Sequence, residues 1–329
     1  MAIYQPPYTI TPDILNREVE IGELLGRWSM QAETSSPVLR KENRIRTIQA
    51  SLAIEHNSLS TEQVTAIING KRVLAPARDI QEVRNAILTY EKLPDWHSSR
   101  VTDLLAAHRL LMTGLVDRPG QLRGGDVGIY QEKQLIHMAP PASQVPRLVG
   151  ELLTWLQQTA IHPLIASSIF HYEFEFIHPF TDGNGRMGRL WQTLILSEWR
   201  PELAWLPVET LIHYQQQDYY QVLRGCDRTS DCTLFIDFML EKLAEALKES
   251  LDLRKQNTGV MSVENPQPLN ATAQKILFVI AAHPAITITQ LANEVGVSRR
   301  TIERNIKILQ DIGRLIRVGA KKGGYWRVV

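Results

Sequence analysis

The stretch His178-Pro179-Phe180-Thr181-Asp182-Gly183-Asn184-Gly185-Arg186-Met187-Gly188-Arg189 is a compact turn between two segments that both read as helix. Gly183-Asn184-Gly185 carries little steric bulk, so backbone N–H groups can converge there on an anion. A helix starting at that point adds the positive end of its dipole. Arg186 and Arg189 stand three apart, on one helical face, where two guanidinium forks can clamp a polyphosphate. Asp182 offers hard oxygen of the kind Mg²⁺ takes alongside phosphate oxygens. His178 precedes the loop, and histidine is the side chain that accepts a proton near neutral pH. A base, a metal ligand, an anion nest and two cationic clamps suit attack of a hydroxyl on a nucleotide phosphate, where positioning and charge neutralisation dominate.

Outward from this loop the pattern stays helical. The periodicity predicts helices over 163–176 and 184–198 on its two sides. Others are predicted near 11–30 and over 40–57, 60–69, 77–92, 100–114, 144–159, 215–224 and 232–253. The exception is 118–141. Gly120, Gly124, Gly125 and Gly128 precede short alternating runs (Val127, Ile129; Leu135, Ile136, Met138), and Pro140-Pro141 closes the segment, which predicts a small hairpin. Residues 254–270 are polar, with Gly259, Pro266 and Pro268, and read as a linker.

The loop matches the Fic-family motif, His-Pro-Phe-x-(Asp/Glu)-Gly-Asn-Gly-Arg-x-x-Arg, at every specified position. The resemblance extends to Ser168–Ile177 before it, to the hairpin and its Pro-Pro exit, and to Tyr219-Tyr220 followed by Asp231. It implies an all-helical catalytic core with a β-hairpin flap that holds a target segment by strand-like pairing. It also implies transfer of AMP from ATP to a serine, threonine or tyrosine hydroxyl of a target protein, and of the chain itself, with Mg²⁺ required. On this resemblance His178 is the base and Asp182 holds the metal. Gly183, Asn184 and Gly185 hold the α- and β-phosphates, and Arg186 and Arg189 the β- and γ-phosphates. Tyr219 and Tyr220 are candidates for nucleotide contact. Upstream, Ser51-Leu52-Ala53-Ile54-Glu55-His56-Asn57 resembles the family's inhibitory-helix motif, (Ser/Thr)-x-x-x-Glu-(Gly/Asn). A carboxylate there would occupy the Arg189 guanidinium that the γ-phosphate needs. His56 departs from that motif, standing where Gly or Asn is expected.

The chain has 329 residues with 36 Lys+Arg and 35 Asp+Glu, so the whole is nearly neutral. The charge is uneven: residues 270–329 hold ten basic and three acidic groups, and the remainder is net −6. A basic tail on an acidic body predicts two modules with different partners. In the tail, three short helices end in Arg299–Ile312. Two strands, Leu315–Val318 and Tyr325–Val328, flank 319–324. This resembles a winged helix-turn-helix. It would present Arg299, Arg300 and Arg304 to a DNA groove, with Lys321 and Lys322 on the wing.

The expected organisation is thus mainly α. An N-terminal helical region spans 1–99, with the inhibitory helix at about 44–57. The catalytic domain spans 100–253, the linker 254–270 and the winged helix-turn-helix 271–329. Two cysteines, Cys226 and Cys232, exclude a disulfide scaffold or a four-thiolate zinc site. Apolar runs are far short of the ~20 residues of a membrane span, and no secretory leader is visible. We expect a cytoplasmic chain without a membrane partner; homodimerisation is only suggested by the family's habit. Competing readings are a DNA-binding regulator with a nucleotide-sensing body, and a family enzyme that mainly removes AMP or uses another phosphorylated donor.

Overall fold

The structure, a computed structural model, describes residues 4–32, 37–131, 134–259, 271–284, 286–311, 315–318 and 325–328. The chain divides into two compact units, Met1–Leu253 and Arg254–Val329.

In the first unit, α1 (Pro12–Ala32), α2 (Pro37–Ile54), α3 (Thr61–Ile68), α4 (Ala77–Lys92) and α5 (Val101–Met112) precede the hairpin β1 (Gly128–Gln131) and β2 (Gln134–Met138). Then follow α6 (Val145–Gln158), α7 (Pro163–Ile177), α8 (Asn184–Trp199), α9 (Val208–Tyr214), α10 (Gln216–Thr229) and α11 (Thr233–Gly259). Ile21 and Trp28 of α1, Ile48 and Leu52 of α2, Val83 of α4, Phe170 and Phe174 of α7, Trp191 of α8 and Phe235 and Met239 of α11 share one core. Residues 1–99 and 100–253 are therefore packed together.

The centre of that core is α7. Every residue from Leu164 to Phe174 is buried, including five that are polar or ionisable. Each of those five has a partner, as burial demands. Ser167 and Ser168 donate to the Leu164 carbonyl. Nδ1 of His171 meets Gln192 Oε1 at 2.7 Å, Tyr172 donates to Asp227, and Glu173 accepts from Tyr4. A helix buried all round gives the loop at its C-terminus a rigid base.

Three elements differ from expectation. Helix α9 falls within 199–214, where no element is expected. Its seven residues include Val208, Thr210 and Ile212, weak helix formers, and burial of Glu209 to Ile212 stabilises it instead. Helix α10 runs on to Thr229. Helix α11 continues to Gly259, so the first six residues of the expected linker are helix; 260–270 lie outside the described residues.

In the second unit, α12 (Ala271–Ala282), α13 (Ile288–Val295), α14 (Arg299–Asp311), β3 (Leu315–Val318) and β4 (Tyr325–Val328) follow in order, the strands pairing antiparallel. A capping box between Thr287 and Gln290 starts α13, and left-handed Gly296 ends it. Ile276, Ile280, Leu291, Ile302, Ile306, Leu309, Leu315 and Trp326 form the unit's own core. This is a helix-turn-helix with a two-stranded wing. Arg299, Arg300 and Arg304 are exposed on α14, with Arg299 paired to Glu303 at 2.9 Å. Lys321 and Lys322 lie outside the described residues. No helix among the described residues is long and apolar enough to cross a membrane.

Candidate active site

The loop begins where α7 stops. His178 takes a left-handed conformation (φ 49°), its N–H caps Phe174 O, and Pro179 cannot continue the helix. At the other end Gly183 (φ 86°) opens α8. A Cβ on Gly183 would come within 2.7 Å of Met112 Sδ, a flexible thioether that can shift, so the positive φ is what calls for glycine.

Between these ends the loop is pinned from inside. Phe180 is fully buried and stacks on His108, ring centroids 3.6 Å apart and planes 4° from parallel. Nδ1 of His108 accepts the Gly120 N–H at 2.8 Å, which leaves Nε2 to donate to the Asp182 carbonyl at 3.0 Å. Burial pushes the pKa of His108 down to about 4, so the ring is neutral and this tautomer persists. The Asn184 amide closes a ring on Phe180, accepting from its N–H and donating to its carbonyl, both at 2.8 Å. The Asn184 side chain is turned inward to shape the loop, which leaves only its backbone N–H for an anion.

His178 is half-buried, with Nδ1 3.4 Å from Glu175 O. Its carbonyl accepts from Arg123 Nε at 2.7 Å, while Arg123 also donates to Gly125 O and Pro140 O at the base of the hairpin. One buried guanidinium thus staples the hairpin to the loop.

The two arginines of α8 lie buried beside carboxylates from the N-terminal helices. Arg189 Nη2 donates to Glu55 Oε1 at 2.8 Å and to Ser51 O at 3.0 Å, and Nε reaches the Ser51 hydroxyl at 3.2 Å. Burial opposes the charge on Arg189, but the surrounding groups, Glu55 first among them and then Tyr219 and Glu175, together outweigh it and hold the guanidinium above its ordinary pKa. Glu55 Oε1 lies 2.5 Å from the point where a Cβ on Gly185 would stand. The carboxylate therefore occupies the N-terminus of α8 as well as its arginine, the two features that attract phosphate.

Arg186 spans two carboxylates, with Nη1 3.3 Å from Glu82 Oε1 and Nη2 3.1 Å from Asp182 Oδ1. Asp182 also accepts the Gly183 N–H and, on Oδ2, Arg78 Nη2 at 3.3 Å. Glu82 and Arg78 of α4 are site residues that sequence reading missed. Nothing local marks them, since 104 residues separate each from its partner in the loop.

His56 has φ 67°, the left-handed conformation that Gly or Asn adopts at least cost. This explains the motif position and shows that the departure leaves the turn intact. Of the two tyrosines, Tyr219 is the inner one. It is buried, its hydroxyl 3.1 Å from His171 Nε2, within an aromatic cluster that includes Phe235 and Phe238. Tyr220 is 37% exposed and its pKa is raised, by burial first and the Glu55 charge second.

Residues 98–196 match the Fic/DOC family model, and 272–326 match an HTH domain model. The protein adenylyltransferase fic-1 of Caenorhabditis briggsae is 26% identical over 261 residues, covering 75% of this chain and 48% of its own length. The protein adenylyltransferase Fic of Aedes aegypti is 28% identical over 243 residues, covering 70% and 45%. The chain thus spans about half the length of these curated relatives. The crystal structure of a Fic family protein from Desulfovibrio desulfuricans G20 is 50% identical, with a TM-score of 0.77, covering 99% of this chain and 98% of that one. A Fic domain containing signaling protein from Bacteroides thetaiotaomicron, 16% identical with a TM-score of 0.61 over 72% of this chain and 98% of its own, shares the fold.

Proposed function

Because the chain belongs to the Fic family, we propose that it transfers AMP from ATP to a serine, threonine or tyrosine hydroxyl of a protein, itself included, and that Glu55 holds this activity down. The observation that carries the reading is the Glu55 carboxylate, seated on Arg189 at 2.8 Å and against the first turn of α8. An anion already stands where a phosphate would be drawn. Displacing it gives a triphosphate the dipole and the clamp together.

The chemistry divides among the chain's own groups. His178 takes the proton of the attacking hydroxyl. The hydroxyl oxygen bonds to the α-phosphorus, the bond from that phosphorus to its bridging oxygen breaks, and pyrophosphate leaves with the electron pair. Backbone N–H groups of Asn184 and Gly185, with that of Gly183 once Asp182 releases it, take the phosphates, and Arg186 and Arg189 neutralise their charge. Asp182 is a 41% exposed carboxylate on a phosphate-facing loop. No group of three metal-binding side chains occurs among the described residues. One carboxylate completed by phosphate oxygens and water suits Mg²⁺, so Asp182 would hold it, exchanging Arg78 and Arg186 for the ion. The metal, when bound, neutralises charge on the leaving pyrophosphate.

The test is incubation with Mg²⁺ and ATP labelled on the α-phosphate, comparing the parent, Glu55→Gly and Glu55→Gly/His178→Ala. Strong label on Glu55→Gly, weak label on the parent and none on the double mutant is expected. Equal label on all three would refute both assignments. DNA binding by the second unit is a further reading, favoured by the exposure of Arg299, Arg300 and Arg304 on one helix. An affinity for duplex DNA that falls steeply with salt would support it.

A further inference from the structure

The turn that carries Glu55 does not hold itself. Helix α2 ends at Ile54, His56 N–H bonds to Ala53 O at 3.0 Å and Asn57 N–H to Leu52 O at 3.1 Å. That pair of bonds is the Schellman pattern, and it puts His56 in the left-handed region. A histidine there is under strain that a glycine would not feel, so the turn needs outside support.

Asn57 supplies a tie on one side. Its amide Nδ2 donates to Glu82 Oε2 at 2.9 Å and to Asp79 O at 3.1 Å, and its Oδ1 accepts the Leu59 N–H at 3.1 Å. Next to it, Ser58 N–H donates to Asp79 Oδ2 at 3.0 Å. Glu82 is itself 6% exposed and holds Arg186 on its other oxygen. The end of α2 is therefore bound to α4, and through Glu82 to α8, which Glu55 faces. On another side Gln216 Nε2 donates to Ile54 O at 2.8 Å.

We propose that Asn57 is a positioning residue for the Glu55 carboxylate: by bonding to Glu82 and to the Asp79 carbonyl it keeps the strained turn closed and Glu55 on Arg189. The proposal rests on the reading of Glu55 as the inhibitory group. Hydrogen bonds to a buried carboxylate are among the strong ones. Losing this one frees the turn, while Gln216 still restrains it, so release is partial. Asn57→Asp goes further, because it sets a new carboxylate against Glu82 and Asp79.

The experiment measures AMP transfer by Asn57→Ala, made in the parent and in Glu55→Gly, and by Asn57→Asp, made in the parent. Asn57→Ala is expected to raise transfer about tenfold in the parent and Asn57→Asp to raise it more. Asn57→Ala should not move the rate of Glu55→Gly by as much as twofold, since no brake remains to position; Asn57→Asp, set against the Glu82 that holds Arg186, is compared in the parent. No rise in the parent overturns the proposal, and so does an equal rise in both backgrounds. Hydrogen exchange of the amides of residues 52–58 gives a readout that needs no transfer. These amides should exchange about tenfold faster in Asn57→Ala, and unchanged protection overturns the proposal. Faster exchange with no transfer from any variant, Glu55→Gly included, supports the tie and counts against the activity.

Discussion

Replacing Glu55 by alanine strips one partner from a pair whose other member is enclosed. The Arg189 side chain is 1% exposed and that of Glu55 28%. Removing one partner of a fully buried pair costs about 3–5 kcal/mol, because the remaining charge is left uncompensated. Water reaches Glu55, and Arg189 keeps the Ser51 hydroxyl and carbonyl, so about 2 kcal/mol is expected here. For a unit of this size that lowers the melting temperature by about 4–8 °C. The loss should be reversible by ligand. A nucleotide at one hundred times its dissociation constant adds about 2.7 kcal/mol, enough to offset it. In the parent the same nucleotide must first displace Glu55, so its gain is smaller. Thermal unfolding of both proteins, with and without Mg²⁺ and ATP, tests this. Glu55→Ala should melt lower alone and gain more with ATP. If it melts like the parent and gains no more, Glu55 does not occupy the nucleotide's place.

Glu209 of α9 is buried close to the same arginine, accepting from Tyr90 and Thr193 at 3.3 Å each. Burial pushes its pKa up to about 7 from the ordinary 4.5. The folded chain then binds a proton that the unfolded chain releases, so this stabilisation is present below pH 4.5 and is lost as pH rises to about 7. The loss is about 3 kcal/mol, and urea unfolding at pH 5 and pH 8 should show Glu209→Gln free of it; equal slopes in both proteins would refute the assignment. His56→Gly removes the left-handed strain and should raise stability by about 1 kcal/mol, read from the urea midpoint; a lower midpoint would mean the strain is absent.

Much of this molecule is local. The helices on either side of 178–183, the glycine at position 183 and the spacing of Arg186 and Arg189 follow from covalent geometry and from contacts a few residues long. They were therefore legible in the sequence, as was the winged helix-turn-helix with its capped helices. The left-handed residue after Glu55 belongs to the same class, since the motif position already specifies what the backbone does there. Helix α9 was not legible. Its residues favour no helix by themselves, and burial against distant helices decides its form.

The roles of the loop's side chains depended on tertiary contacts. The Asn184 side chain is held by Phe180 and the Tyr219 hydroxyl by His171, partners that no local pattern names. Glu82 and Arg78 look like ordinary charges on an amphipathic helix until α4 is packed beside the loop. The sequence by itself determined which groups the proposed phosphate site draws on, because they are close along the chain. Only the tertiary structure decided which distant carboxylates already hold those groups, because Coulomb attraction acts through space and Glu82 on Arg186 and Glu55 on Arg189 lie 104 and 134 residues away along the chain.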